Sequence, residues 1–134
     1  FDAACAEQGG PRPKIMLLHH AYVASDEEDA MAAARLLSRF FCYFGAWFKN
    51  EKPVTQGLIE ALSEDEIAAN AMMAPENLRR DLTIGAPGEI IDRIKRFEDM
   101  GYDEFSFWID SGMPSEMKKA SLRRFIDDVM PAFS

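Results

Sequence analysis

The last third of the chain constrains its fold most. A short β-branched run, Leu82-Thr83-Ile84-Gly85, leads through Ala86-Pro87-Gly88-Glu89 into a helical pattern. Phe105-Ser106-Phe107-Trp108-Ile109 follows within a strand predicted over 104–109, and a second helical stripe over 115–130 closes the chain. Strand, helix, strand, helix at this spacing is the repeat of a parallel α/β fold. Pro87 suits the first turn of its helix, where a missing N–H costs nothing, and Glu89 strengthens that start through the helix dipole. Ile90, Ile91, Ile94 and Phe97 make the buried stripe of this helix, and Gly101 stands where a left-handed cap is needed. Leu122, Phe125, Ile126 and Val129 face inward on the last helix, which Pro131 is expected to stop.

Upstream, Gly9-Gly10-Pro11-Arg12-Pro13 breaks the chain after a short helical stretch, and residues 14–24 (KIMLLHHAYVA) are apolar on both parities. That pattern predicts a parallel strand covered on both faces. Ser25-Asp26-Glu27-Glu28 reads as a capping box with Ser25 as the cap, opening a helix over 26–49. Its aromatic cluster of Phe40, Phe41, Tyr43, Phe44, Trp47 and Phe48 covers more than one face, so two buried sides are expected. A shorter helix is predicted over 55–62, and Ser63-Glu64-Asp65-Glu66 opens another over 64–73. A minimal strand-helix unit would cross back in fewer residues, so 49–81 reads as a helical insertion, an extra layer or a subunit contact. The whole of 1–134 is one α/β segment of three strand-helix units. Residues 1–13 read as the tail of a preceding helix and its loop, and with Phe rather than Met at position 1 the reading expects part of a longer polypeptide.

With 134 residues, 48% hydrophobic and 28% charged, the chain matches one globular domain. A net charge of −8 with scattered basic residues argues against nucleic acid and anionic membranes as partners. The longest apolar run, 40–48, is about half the ~20 residues that cross a bilayer, and no targeting signal is visible. Cys5 and Cys42 lack metal or redox spacing and read as small buried thiols, which suits a reducing cytoplasm.

In parallel α/β folds functional groups gather where strands end. That rule selects His19-His20-Ala21-Tyr22, Gly85-Ala86 and Trp108-Ile109-Asp110-Ser111. On the last strand Phe105, Phe107 and Ile109 should pack on helices while Ser106, Trp108 and Asp110 should point into the interior, away from the helices, Ser106 deep and the other two nearer the mouth. His20 and Tyr22 share a face of the first strand, and pattern alone does not say which. Each histidine is either hydrogen-bonded core or a pocket group, and Trp108 and Tyr22 are either packing residues or walls of a flat-ring site. Asp110 is either a loop residue or a ligand-positioning one. No metal is implied, because adjacent histidines on a strand point to opposite faces. The Gly85-Ala86-Pro87-Gly88 turn lacks the marks of a dinucleotide or P-loop motif, and no Ser-His-Asp order or nucleophile elbow is visible.

The segments Ile84-Gly85-Ala86-Pro87-Gly88-Glu89, Asp103-Glu104-Phe105-Ser106-Phe107-Trp108-Ile109-Asp110 and Phe125-Ile126-Asp127-Asp128-Val129-Met130-Pro131 carry a further reading. With Tyr22-Val23-Ala24-Ser25-Asp26-Glu27-Glu28-Asp29-Ala30, and in this order, they resemble the C-terminal part of the bacterial-luciferase-like, flavin-dependent monooxygenases. The resemblance implies the last three strand-helix units of a TIM (β/α)8 barrel of about 250 residues or more. It implies reduced FMN, or a deazaflavin in some branches, supplied by a flavin reductase, with O2 and a small organic molecule as substrates. His20, Tyr22, Gly85, Trp108 and Asp110 become the candidate cofactor-binding residues. Catalytic residues and much of the phosphate grip are expected upstream of residue 1, so the segment alone is expected to be inactive. The other reading is a non-catalytic α/β fragment or subunit that acts through protein association. Three strands cannot close a barrel and leave open edges, so the isolated chain is expected to form a homo-oligomer.

Overall fold

The structure is a computed structural model that describes residues 1–109 and 112–133. Its elements in chain order are α1 (Asp2–Glu7), β1 (Met16–Val23), α2 (Glu27–Phe48), β2 (Val54–Thr55), β3 (Leu58–Ile59), α3 (Glu64–Ala68), α4 (Pro75–Asp81), β4 (Thr83–Gly85), α5 (Pro87–Asp99), β5 (Glu104–Trp108) and α6 (Ser115–Arg124). A 3-10 turn at Ala71–Met73 precedes α4, and α6 widens into a π turn, Phe125–Val129, then a 3-10 turn, Met130–Phe133.

β1, apolar on both parities, is the central strand of a parallel sheet ordered β4-β1-β5. Its carboxyl half pairs with β4, Ala21 to Thr83 through Val23 to Gly85, and its amino half with β5, Met16 to Glu104 through His20 to Trp108. Side chains alternate across the sheet. Tyr22 and Ile84 therefore share one face with Ala30, Ala33, Ala34 and Leu37 of α2, forming one core. Val23 faces the other way and packs with Ile90, Ile94 and Val129, joined by Phe105, Phe107 and Phe125. Phe105 and Phe107 thus pack on the helices, as the alternation of β5 predicts.

The parallel α/β expectation holds, while the strand order differs from that of consecutive barrel strands. A closed barrel pairs strands in chain order and keeps its helices outside. Here β5 lies on β1 rather than on β4, and helices cover both faces, the doubly wound arrangement. Three strands cannot close, so the longest and most apolar strand takes the centre, where both faces are covered.

Other departures have local causes. The helix expected over 55–62 is instead a hairpin, in which β2 and β3 join through Gln56 (φ 53°) and Gly57 (φ 80°). Two successive residues with positive φ make a turn whose twist suits a two-residue hairpin. The helix over 64–73 divides, and Pro75 starts α4, which has no counterpart in the sequence reading. Pro131 does not end the final helical segment, which tightens and continues to Phe133. The cap of α2 lies one residue later than expected. Asp26 accepts from the Asp29 N–H (2.9 Å), and Asp29 reaches back to the Ser25 N–H (2.9 Å). The Ser63–Glu66 box forms as predicted.

Where β5 stops, β1 continues, and side chains of α6 replace the missing strand. Ser121 Oγ accepts from the Val23 N–H at 2.8 Å, and Arg124 donates to the Val23 carbonyl at 3.1 Å. Ser121→Ala leaves a buried N–H without its acceptor, so a loss of about 1–3 kcal/mol in urea unfolding is expected. A loss within error of zero would remove Ser121 from this role. The strand order has its own check, because Leu18 and Ser106 are Cα partners across β1 and β5. With Cys5 and Cys42 replaced by serine, Leu18→Cys with Ser106→Cys should oxidise to an intrachain disulfide. Free thiols after oxidation would refute the β1–β5 pairing.

Candidate functional site

The carboxyl end of the sheet gathers the groups that the sequence marks. His20 and Trp108 are register partners, and their rings stack with centroids 4.1 Å apart and planes at 22°. Their side chains face α2, not the helix-free interior expected for Trp108, because helices cover both sides of the sheet; Phe41 meets the His20 ring edge-on at 4.9 Å and Phe40 lies at 6.1 Å. The rings continue along the helix, with Phe40 stacked on Phe44 (5.9 Å) and Phe44 on Phe48 (5.8 Å). This run starts in the core and ends in solvent: His20 is 9% exposed, Trp108 38% and Phe44 46%. Spacing of four residues along α2 explains the helical part. Cross-strand register explains the His20–Trp108 stack.

Burial, with a smaller contribution from a charge on His19, pulls the His20 pKa down to about 4. The imidazole is therefore uncharged near neutrality. His19 points to the opposite face, where its Nδ1 lies 2.7 Å from Thr83 Oγ1 and its ring meets Phe97. Burial again lowers its pKa, followed by the nearby Arg93.

Tyr22 shares the His20 face, but its ring is buried against α2. Its hydroxyl donates to Asp29 at 2.8 Å, and burial, then that hydrogen bond, pushes its pKa up to about 12. Tyr22 is thus a fixed donor, not a base. Asp29 also accepts from Ser25 and lies 3.4 Å from an Arg124 nitrogen. These groups border an open cleft of about 520 Å³ between α2 and α6, which Asp26, Glu28 and Glu116 also line.

Gly85 stands apart from the ring stack. Arg79 donates to the Ile84 carbonyl (2.6 Å), Glu27 (2.8 Å) and Glu89 (2.9 Å). Glu89 Oε2 accepts from the Ala86 N–H at 2.9 Å, so the protein's own carboxylate fills the start of α5. A Cβ on Gly85 would sit 2.5 Å from that oxygen, at a φ of 156°. Asp110 lies outside the described residues. His20 and Trp108 are therefore brought together, Tyr22 lies next along the same face beneath the helix, and Gly85 belongs to a separate ionic cluster. Sequence reading missed Asp29, Arg79 and Arg124, whose partners lie up to 101 residues away.

A larger cleft of about 660 Å³ opens at the other end, between Leu17, Phe97, Phe105, Phe125, Met130 and Phe133. It borders the amino ends of β1 and β5, whereas ligands in parallel sheets bind at carboxyl ends. The His20–Trp108 corner is accordingly the stronger candidate. Among the described residues no three His, Cys, Asp or Glu side chains are placed to hold a metal ion, and no helix is long and apolar enough to cross a membrane.

A family model described as luciferase-like monooxygenase matches residues 1–104. The chain is also 57% identical, over 135 aligned residues, to a protein named flavin-dependent trigonelline monooxygenase, oxygenase component, from Acinetobacter baylyi. All of this chain is covered, and it spans 38% of that protein's length.

The uncharged His20 makes a pH prediction. An unfolded chain takes up the proton near 6.5 and the folded one only near 4. This stabilisation is full above pH 6.5 and is lost as pH falls through that window. The urea midpoint should drop between pH 7 and 4.5, and His20→Gln should flatten the slope, leaving the part owed to His19. An unchanged slope in the variant would show that His20 does not bury its neutral form.

Proposed function

The chain belongs to the luciferase-like monooxygenases, and from that premise we propose that it forms part of a flavin-dependent monooxygenase using reduced FMN and O2 to oxygenate a small organic molecule. The observation that carries this is the His20–Trp108 stack on the face toward α2, with part of the indole open to solvent. A flat tricyclic ring needs an apolar aromatic wall with polar groups at its edge. Trp108 supplies the wall, His20 backs it, and the half-buried Ser106 offers a hydroxyl on the same face. Tyr22, tied to Asp29, fixes the end of β1 beneath α2, and we keep Asp110 as a candidate for the ring's edge. When bound and reduced, the flavin supplies the electrons that activate O2. The protein's share is to hold the ring and keep water from it.

The same wall suits a deazaflavin ring, and the word flavin in the relative's name favours a flavin over it. The phosphate is a different matter, because Glu89 already fills the turn after Gly85. We assign that grip, and the catalytic residues, to polypeptide beyond these residues, so the chain alone is inactive. In the whole protein the three strand-helix units would be the closing part of a (β/α)8 barrel, with 1–13 the end of a preceding helix and loop and 49–81 a layer at its mouth. Closure would require β5 to leave β1 and pair with β4. The relative's description as an oxygenase component supports a separate reductase that delivers reduced flavin, and trigonelline is the substrate to offer first; the cytoplasm is the compartment we propose. A second reading, non-catalytic association with a partner or a second copy, draws on Trp47 and Phe48, which are 54% and 73% exposed at the end of α2.

Titrating the purified chain with FMN, oxidised and then reduced, tests the first reading through flavin fluorescence and absorbance. Saturable micromolar binding is expected. Trp108→Leu should weaken it about 3- to 10-fold, equivalent to the ~0.5–1.5 kcal/mol of an aromatic stack. Absence of saturation with either form would leave the association reading.

A further inference from the structure

We propose that the cleft at the amino ends of β1 and β5 is a second binding site, which takes a primary amine with an apolar tail and holds its ammonium at Glu98. The proposal is independent of the flavin reading, which concerns the opposite end of the sheet. At about 660 Å³ the cleft has the size of a small-molecule site, and such sites are mostly apolar with a few polar groups. Phe97 and Phe105 line it with rings stacked 6.2 Å apart at 10°, and Tyr102 stands edge-on to Phe97 at 6.3 Å. Phe125 and the 41% exposed Phe133 add apolar surface from the C-terminal turns. The charged lining residues choose the head group. Among the described residues of the lining, Arg12 faces three carboxylates, Glu98, Asp103 and Glu104. Each guanidinium nitrogen of Arg12 already donates, to Asp2 (2.8 Å), Asp103 (2.7 Å) and the Gly101 carbonyl (2.5 Å), so an incoming anion finds a committed partner. Lys14 reaches Glu104 at 3.2 Å, whereas the exposed Glu98 has no side-chain partner among the described residues. Glu98 also lies in the last turn of α5, where the negative end of the helix dipole favours a cation. An ammonium there stays hydrated beside the carboxylate while its tail meets the rings. The cleft lies away from the carboxyl ends of the strands, so its role is binding and not catalysis.

The probes are 4-phenylbutylammonium, 4-phenylbutanol and 4-phenylbutanoate, which share a tail and differ in head group. Each is titrated into the purified chain by calorimetry at neutral pH, and the methyl resonance of Met130, which also lines the cleft, reports where it binds. The ammonium should saturate, shift the Met130 methyl and bind about 2- to 5-fold tighter than the alcohol, the range of an exposed ion pair. The carboxylate should bind more weakly than either. Glu98 and Phe133 are exposed, so both variants should fold normally. Glu98→Gln should remove the preference for the ammonium and leave the alcohol's affinity unchanged. Phe133→Ala should weaken ammonium and alcohol alike, about 3- to 10-fold, through lost apolar contact. Equal affinity for the three probes, no saturation, a preference that survives Glu98→Gln, or an affinity indifferent to Phe133→Ala would overturn the proposal. So would competition between the amine and FMN, which would move the amine to the other end of the sheet and leave the flavin reading standing. Amine binding at Met130 in a chain that takes no FMN would defeat the flavin reading alone.

Discussion

Everything in this structure depends on β1 being covered along its length. A parallel strand with two apolar faces must find helices on both sides and hydrogen-bonding partners on both edges. Two short strands divide the edges, β4 taking 21–23 and β5 taking 16–20. α2 covers the Tyr22 face, and α5 with the C-terminal turns covers the Val23 face. The order β4-β1-β5 follows from that demand.

The same demand builds the candidate site. Because β5 ends at Trp108 while β1 runs on to Val23, the last backbone groups of β1 have no strand partner on one edge. Ser121 and Arg124 satisfy them, which holds α6 against the strand end and brings Arg124 within reach of Asp29. Asp29 belongs to the first turn of α2 and fixes the Tyr22 hydroxyl. One carboxylate therefore joins the strand, the helix over its face and the helix at its edge. The His20–Trp108 stack sits beside this anchored corner, where its rings gain a rigid backing on one side and stay open on the other.

Periodicity was legible from the residues in β5 and α5, but not in α2 or the last helix, where Phe44, Phe48, Leu122 and Ile126, expected to be buried, are exposed. The alternation of β5 correctly sent Phe105 and Phe107 to the helices, and the Ile90–Ile94 stripe of α5 is buried as its spacing implies. Relations between elements were not legible. Nothing local says that His20 and Trp108 are register partners across 88 positions, or that Arg79 will bridge Glu27 and Glu89. The capping of α2 by Asp26 instead of Ser25 is a competition between adjacent good caps, which spacing cannot decide. The hairpin at Gln56-Gly57 was missed because its strands are two residues each, too short for alternation to register. Strand order is the deepest of these gaps, since it depends on which edges and faces remain to be covered.

Electrostatics separates what this segment is suited to hold from what it is not. Arg79 and Arg124, the arginines that anchor the ends of β4 and β1, are already engaged by carboxylates and carbonyls. Glu89 occupies the α5 start, where a free helix N-terminus would attract an anion. A phosphate brought here would have to displace an acidic side chain from its own hydrogen bonds, in a chain of net charge −8. A flat uncharged ring meets no such opposition on the His20–Trp108–Phe40 run. These charges favour the proposed division, in which the ring is held here and the phosphate is held elsewhere. It also accounts for an open aromatic surface lying at the carboxyl end of the sheet instead of being buried in its core.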